Sequence, residues 1–442
     1  MSPWQGFQSL KRLGSLDGLR ALAIAGVLWQ HCTPVAASSN PFTNAGASGV
    51  SLFFVLSGFL ITTLLLREWR SKGSIDLSAF YWRRTLRILP LYYATLAVYC
   101  VLVAVFDRHS AAGRDFFSNL PYFLTYTNNW FVDLAVNADG ELRTIFIFAW
   151  TLATEEQFYL FWPPILFLLA PKRAFWLLAG IVAIDVVVAS SFTSLEVPAN
   201  GAERMLKIIA SFSSEIAFGC ALGGILHERR SFSLAWGLLG QWWSIWIAAA
   251  LSIWMVMGWP EATVGWRVAQ AAAFTMLIGA AVVKPRHGLS WLLDWRPLAR
   301  IGVVSYGMYL LHMLAIHATE MGFGLIGWTE VNSPWLLLLT AGLATWVIAE
   351  LSFRWFESPI LALKSRPAWF GLGAHAGRRP NAAETDRSSS LPGAGEPSEA
   401  QSALTMSSDQ AVSRPASPGG DGMRLTSPRK AAARSFSRRM AS

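Results

Sequence analysis

Residues 48–66 read SGVSLFFVLSGFLITTLLL, a run without a single Asp, Glu, Lys or Arg. About 20 mostly apolar residues are needed to cross the hydrocarbon core of a bilayer. The run ends on Arg67-Glu68-Trp69-Arg70, the charged and aromatic flank expected at a membrane surface. Working outward, comparable runs occur at 17–37, 88–106, 145–169, 174–194, 206–226, 242–260, 264–283, 301–320 and 335–355. The sequence therefore predicts an all-α integral membrane protein, a bundle of about ten transmembrane helices. Composition agrees: of 442 residues, 53% are hydrophobic and 14% charged, and 22 are tryptophan. A soluble domain carries about 25% charged residues. These figures exclude a disordered chain and a disulfide scaffold.

The net charge of +9 does not indicate a nucleic-acid partner, because more than half of it lies in residues 365–442. That stretch is rich in Ser, Pro, Gly, Ala and Arg and too poor in apolar residues to offset its chain entropy. Two regions are expected: a transmembrane domain over 1–364 and a disordered basic cytoplasmic tail over 365–442. Elsewhere Lys and Arg gather on alternate connections, most densely at Arg67, Arg70, Lys72, Arg83, Arg84 and Arg87. Such an excess marks the cytoplasmic side. It predicts a multi-pass protein of the cell inner (plasma) membrane, surrounded by membrane lipids, with both termini cytoplasmic. The long polar connection 107–144 is then external, with Tyr122-Phe123 and Trp130-Phe131 placed to lie against headgroups. Arg20 and Gln30-His31 interrupt the first apolar run and argue against a cleaved signal peptide. Cys32, Cys100 and Cys220 form no metal-ligand spacing and no disulfide framework.

Ionisable residues within a span are costly and therefore become functional candidates. Arg20 and His31 stand three helical turns apart on one face of the first span, separated by about 16 Å of rise. Glu155 and Glu156 in the fourth span, His312 in the ninth and Ser57 in the second lie at comparable depth. Buried charges need partners, so a pair between His31 and Glu155 or Glu156 is expected. Interhelical hydrogen bonding accounts for a lone His equally well, and helix packing explains His312 as easily as chemistry does. Arg83, Arg84 and Arg87 read as an inner-face anchor, except that Arg87 continues the face of Arg84 into the next apolar run.

Six segments together carry a resemblance. They are Leu16-Asp17-Gly18-Leu19-Arg20 with His31; Gly49 through Leu60; Tyr81 through Pro90; Trp150-Thr151-Leu152-Ala153-Thr154-Glu155-Glu156; Ser305 through His312; and Glu350 through Pro359. In this order they resemble the acyltransferase family 3 membrane proteins, which O-acylate cell-surface glycans and other hydroxyl acceptors. Thr151 stands where the family usually has Ser and keeps the hydroxyl. The resemblance implies an O-acyltransferase, most simply an O-acetyltransferase, with cytoplasmic acyl-CoA (acetyl-CoA) as donor and a glycan or glycolipid as acceptor. Arg20, Arg83, Arg84 and Arg87 would bind the polyanionic coenzyme, since guanidinium suits phosphate. His31 would be the general base, with Glu155 or Glu156 orienting it. Asp17, Ser57 and His312 would support substrate, oxyanion or structure, and no metal is required.

Two other chemistries are compatible with the residues. Midplane His and Glu also suit a proton-coupled transporter or exporter, but the chain shows no inverted repeat of the kind common in carriers. Cys32 beside His31 suggests a thiolate relay, yet neighbours on a helix point about 100° apart.

Overall fold

A computed structural model describes residues 2–10, 12–33, 45–132, 145–191, 208, 214–258, 263–327 and 334–365. The described residues are helical, with no strand among them. In chain order the helices are α1 (Pro3–Ser9), α2 (Ser15–Cys32), α3 (Ala45–Lys72), α4 (Leu77–Phe106), α5 (Ala111–Leu124), α6 (Asn128–Phe131), α7 (Trp150–Ser191), α8 (Ser214–His227), α9 (Arg229–Leu239), α10 (Ser244–Met257), α11 (Val264–Val283), α12 (Ser290–Leu293), α13 (Arg296–Leu325), α14 (Pro334–Ser352) and α15 (Ser358–Leu361).

Among these residues five helical stretches are long and apolar enough to cross a membrane: Gly46–Lys72, Leu77–Phe106, Val264–Val283, Arg296–Leu325 and Trp335–Lys364. The pair α9 and α10, bent by 79°, makes a sixth if it counts as one span. The expected count of ten is therefore not reproduced. The expected fourth and fifth spans are one continuous helix, α7. The segment between the two runs, Ala170-Pro171-Lys172-Arg173, is helical, and Pro163 and Pro164 also lie inside the helix. Proline removes an intrahelical donor. Pro164 leaves the Leu160 carbonyl without its usual partner, and the Tyr81 hydroxyl donates to that carbonyl at 2.7 Å. The expected sixth span is α8, only 14 residues, with most of 192–213 outside the described residues. Likewise 366–442 of the expected tail lies outside them.

Close helix packing sets the bundle centre, where α3 packs on α2 and α8, and α13 on α2 and α14. Gly58 and Gly219 make the α3–α8 crossing. A Cβ on either would collide with the other helix's backbone, at Ile216 and Val55 respectively. Gly302 similarly lets α13 lie against the Asp17 carbonyl at the start of α2. Small residues at such crossings are how membrane helices gain dispersion contact.

The connection after α4 is not a peripheral loop. Phe116, Phe123, Ile145 and Ala149 are fully buried in one core with Tyr92 and Tyr99. This corrects the expectation that Phe123 faces headgroups, although Tyr122, Trp130 and Phe131 remain half-buried. The segment enters the core because its polar groups are satisfied there. Tyr92 and Tyr93 hydroxyls donate to the Phe123 and Leu124 carbonyls (2.8 and 2.9 Å) at the end of α5, where i+4 helical donors run out. Asn129 and Gln157 exchange amide hydrogen bonds (2.9 and 2.8 Å), and Gln157 also donates to the Tyr126 carbonyl. Tyr126 and Phe146 adopt left-handed backbone (φ 53° and 67°) at the two ends of this excursion.

At the arginine-rich end of the bundle, α1 starts with a capping box between Ser2 and Gln5. It is held by Arg67, whose guanidinium donates to the Phe7 and Leu10 carbonyls, and by Arg70 over the Trp4 ring.

Candidate active site

Five helices, α2, α3, α4, α7 and α13, line a cavity of about 340 Å³. Its apolar wall includes Phe53, Phe54, Leu60, Ile61 and Leu64 from α3 and Ile88 from α4. Its polar lining is Arg20, Ser57, Arg84, Arg87, Thr151, Glu155, Tyr159, Ser305, Tyr306 and Tyr309. The lining thus combines an apolar wall with three guanidinium groups and one carboxylate.

Neighbours hold Arg20, Arg84 and Glu155 in place. Arg20 binds Asp17 Oδ1 at 2.9 Å, and Asp17 Oδ2 binds Arg12 at 2.7 Å, so one carboxylate fixes both arginines. Arg84 and Arg87 share a face at i and i+3. Arg84 lies over the Tyr159 ring, 3.7 Å from its centroid, a cation–π arrangement. Arg83 turns elsewhere: it faces Glu68 at 3.7 Å, which also binds Lys72, and does not line the cavity. Of the four arginines expected together, the cavity lining brings together three, and Arg83 points elsewhere because adjacent helical residues diverge by about 100°.

Glu155 Oε1 accepts a hydrogen bond of 2.5 Å from Ser57. The Ser57 hydrogen is therefore committed to the carboxylate and supports Glu155. Glu156 points away from the cavity, and among the described residues its buried Oε1 has no hydrogen-bond partner.

His31 does not pair with either glutamate. Its Nδ1 lies 2.9 Å from the Val27 carbonyl, one turn back in α2. A carbonyl only accepts, so Nδ1 carries the proton and Nε2 presents a lone pair in the neutral ring. The partner of His31 across the bundle is His312, with ring centroids 4.8 Å apart. His312 is fully buried and makes the same choice, donating from Nδ1 to the Tyr309 carbonyl. Among the described residues its buried Nε2 has no hydrogen-bond partner. Two imidazoles of one tautomer thus meet just beyond the cavity, and the backbone does the orienting work expected of a carboxylate.

Several lining residues received no role from the sequence: Tyr159, Tyr306, Tyr309, Thr151 and Ser305. Spacing could have found two of them, since Thr151 is four before Glu155 and Tyr309 three before His312. Glu357 was also missed. It is buried at the end of the π-helical turn Phe353–Glu357 and faces Arg87 electrostatically. Nothing local in the sequence announces that turn.

A second polar cluster sits near the arginine-rich end, outside the spans. Ser15 Oγ donates to Asp294 (2.8 Å) and lies 3.0 Å from His287 Nε2, while the Leu289 N–H donates to His287 Nδ1 (3.2 Å). Serine here sits between histidine and aspartate, so it cannot be a nucleophile activated by a histidine that the aspartate orients. The cluster ties α2 to the 287–294 segment. Burial lowers the His287 pKa from its ordinary value, and Asp294 only partly opposes this.

The fold and the cavity define a multi-pass membrane protein with an internal, arginine-lined polar site. Residues 13–352 match the acyltransferase family 3 model, described as an acyltransferase domain, and the chain belongs to that family. It is 30% identical to the peptidoglycan O-acetyltransferase OatA of Listeria monocytogenes, over 80% of this chain and 56% of that protein. It is 29% identical to the putative peptidoglycan O-acetyltransferase YrhL of Bacillus subtilis (80% and 55%) and 25% identical to the O-acetyltransferase OatA of Staphylococcus aureus (80% and 58%). The chain thus spans little more than half the length of these relatives. No solved structure matches it.

Proposed function

We propose that this protein is an O-acetyltransferase of the plasma membrane, taking acetyl from cytoplasmic acetyl-CoA and placing it on a hydroxyl of a cell-wall glycan of the peptidoglycan type. The observation that carries this reading is the cavity itself, with Arg20, Arg84 and Arg87 beside an apolar wall in a chamber that ends one turn of α13 before His312 and its neighbour His31. Planar guanidinium groups suit the coenzyme's phosphates, and the apolar wall suits its thioester arm. Both termini and the arginine-rich end face the cytoplasm in this reading, following the bias of Lys and Arg.

The acceptor hydroxyl loses its proton to His31 Nε2 as its oxygen attacks the thioester carbonyl carbon. The carbon–sulfur bond breaks, and the imidazolium returns the proton to the departing coenzyme A thiolate. Val27 holds the ring in the tautomer that this step needs. Glu155 keeps the arginine cavity electrostatically balanced, and Asp17 sets the position of Arg20.

The test is a sided transfer assay. The full chain is reconstituted in proteoliposomes, labelled acetyl-CoA is supplied on the arginine face, and an N-acetylglucosamine oligomer on the other. Labelled ester on the oligomer, with release of free coenzyme A thiol, is expected. Transport of the oligomer without thiol release would overturn the reading in favour of a carrier.

A further inference from the structure

The cavity and the histidine pair are not continuous. Along α13, Tyr309 lines the cavity and His312, three residues on and about 4.5 Å further along the axis, does not. Between them stands an aromatic layer. The Phe148 ring is 6.0 Å from Tyr309 and 5.2 Å from His312, and Tyr309 is 5.6 Å from His312, all between centroids. The Tyr309 hydroxyl is tied twice, 2.6 Å from Thr151 Oγ1 and 2.9 Å from the Phe148 carbonyl to which it donates. Thr151 Oγ1 also lies 3.2 Å from that carbonyl. Three polar atoms thus share two hydroxyl hydrogens in a buried triangle at the end of the cavity.

We infer that Tyr309, latched to Thr151 and the Phe148 carbonyl, is the specificity-determining residue of the site: it closes the path from the cavity to the histidine pair and limits the transferred group to a short acyl chain. This rests on the donor assignment proposed above. A thioester entering past the arginines meets the Tyr309 and Phe148 rings before it meets an imidazole. An acetyl group needs only a small displacement of the Tyr309 hydroxyl to pass, whereas a longer chain must displace both rings from a fully packed core. The carrier of Phe148 suits such a step. It is a single 3₁₀ turn, Ile147–Ala149, entered through the left-handed Phe146, and short 3₁₀ segments and positive-φ residues mark places where backbone can rearrange.

The experiment measures coenzyme A thiol release by the full-length protein in proteoliposomes, with an N-acetylglucosamine oligomer as acceptor and acetyl-, butyryl-, hexanoyl- and octanoyl-CoA as donors. The wild type should prefer acetyl-CoA. Tyr309→Ala should raise the octanoyl-to-acetyl ratio of kcat/KM at least tenfold, and Tyr309→Phe, which keeps the ring, should retain the acetyl preference. Tyr309→Leu is measured alongside, because it fills the site better and keeps the test open should the alanine variant fail to fold; its ratio should also rise. Ratios within twofold of wild type in folded Tyr309→Ala or Tyr309→Leu protein would overturn the inference, as would a wild type indifferent to chain length. A wild type that uses no acyl-CoA at all would instead overturn the donor assignment.

Discussion

Val27 and Tyr309 show what a single backbone carbonyl can do in a membrane interior. Each accepts from the Nδ1 of a histidine on its own helix and so leaves the lone pair of the neutral ring on Nε2. A neutral carbonyl achieves this without the cost of burying a carboxylate. The same economy governs the arginines. Arg84 is compensated by a tyrosine face and by the field of Glu155 and Glu156. The planar cation matters there, because lysine cannot stack on a ring or offer a fork of donors. Arg84→Lys should therefore raise the KM for acetyl-CoA about tenfold, the loss of one stacked and one phosphate-directed contact, and leave the KM for the glycan acceptor unchanged. Steady-state kinetics with each substrate varied in turn checks this split. The candidates Arg20, His31, Glu155 and His312 were legible in the sequence because charge is rare in apolar runs. Their pairings were not, since which atoms meet depends on helix rotation and depth.

At the scale of the element, the crossing of α3 and α8 is constrained from both sides. Gly58 and Gly219 face each other across backbone, and the crossing brings Ser57 of α3 to the cavity beside Glu155 of α7. Gly219→Val inserts two methyl groups and a Cβ where the Val55 carbonyl already lies. Overpacking of this kind costs about 1–3 kcal/mol and more where only backbone can yield. The variant should show a lowered thermal midpoint in detergent and reduced activity, while Gly180→Val, whose Cβ would meet nothing within 4 Å, should change the midpoint little. Helices built on long apolar runs, such as α3, α4 and α13, were recoverable from hydropathy alone. Those that depend on tertiary compensation were not. The single helix α7 reads as two apolar runs because Lys172 and Arg173 divide it, and the segment around Phe123 looks peripheral until the Asn129–Gln157 pair and two tyrosine hydroxyls satisfy its polar groups.

The whole molecule is organised along one axis, from an arginine-rich end to a histidine pair. The arginine-rich end is stapled by α1 and by the Ser15–His287–Asp294 cluster. His287 is held neutral there, with its pKa below the ordinary 6.5. The unfolded chain then binds the proton more readily than the folded one, so the contribution of this cluster is fully present above about pH 6.5 and is lost as pH falls. Thermal midpoints of purified protein should decline between about pH 7 and about pH 5, and His287→Gln should flatten that decline. At the opposite end stands His31, whose role as base carries the proposed chemistry. The most direct measurement is acetyl transfer from labelled acetyl-CoA to an N-acetylglucosamine oligomer by wild type and His31→Ala protein, reconstituted at equal and verified insertion. Transfer should fall about a hundred- to ten-thousand-fold in the variant, the range for loss of a general base, with acetyl-CoA binding retained at Arg20, Arg84 and Arg87. Transfer by His31→Ala within a few-fold of wild type would contradict it.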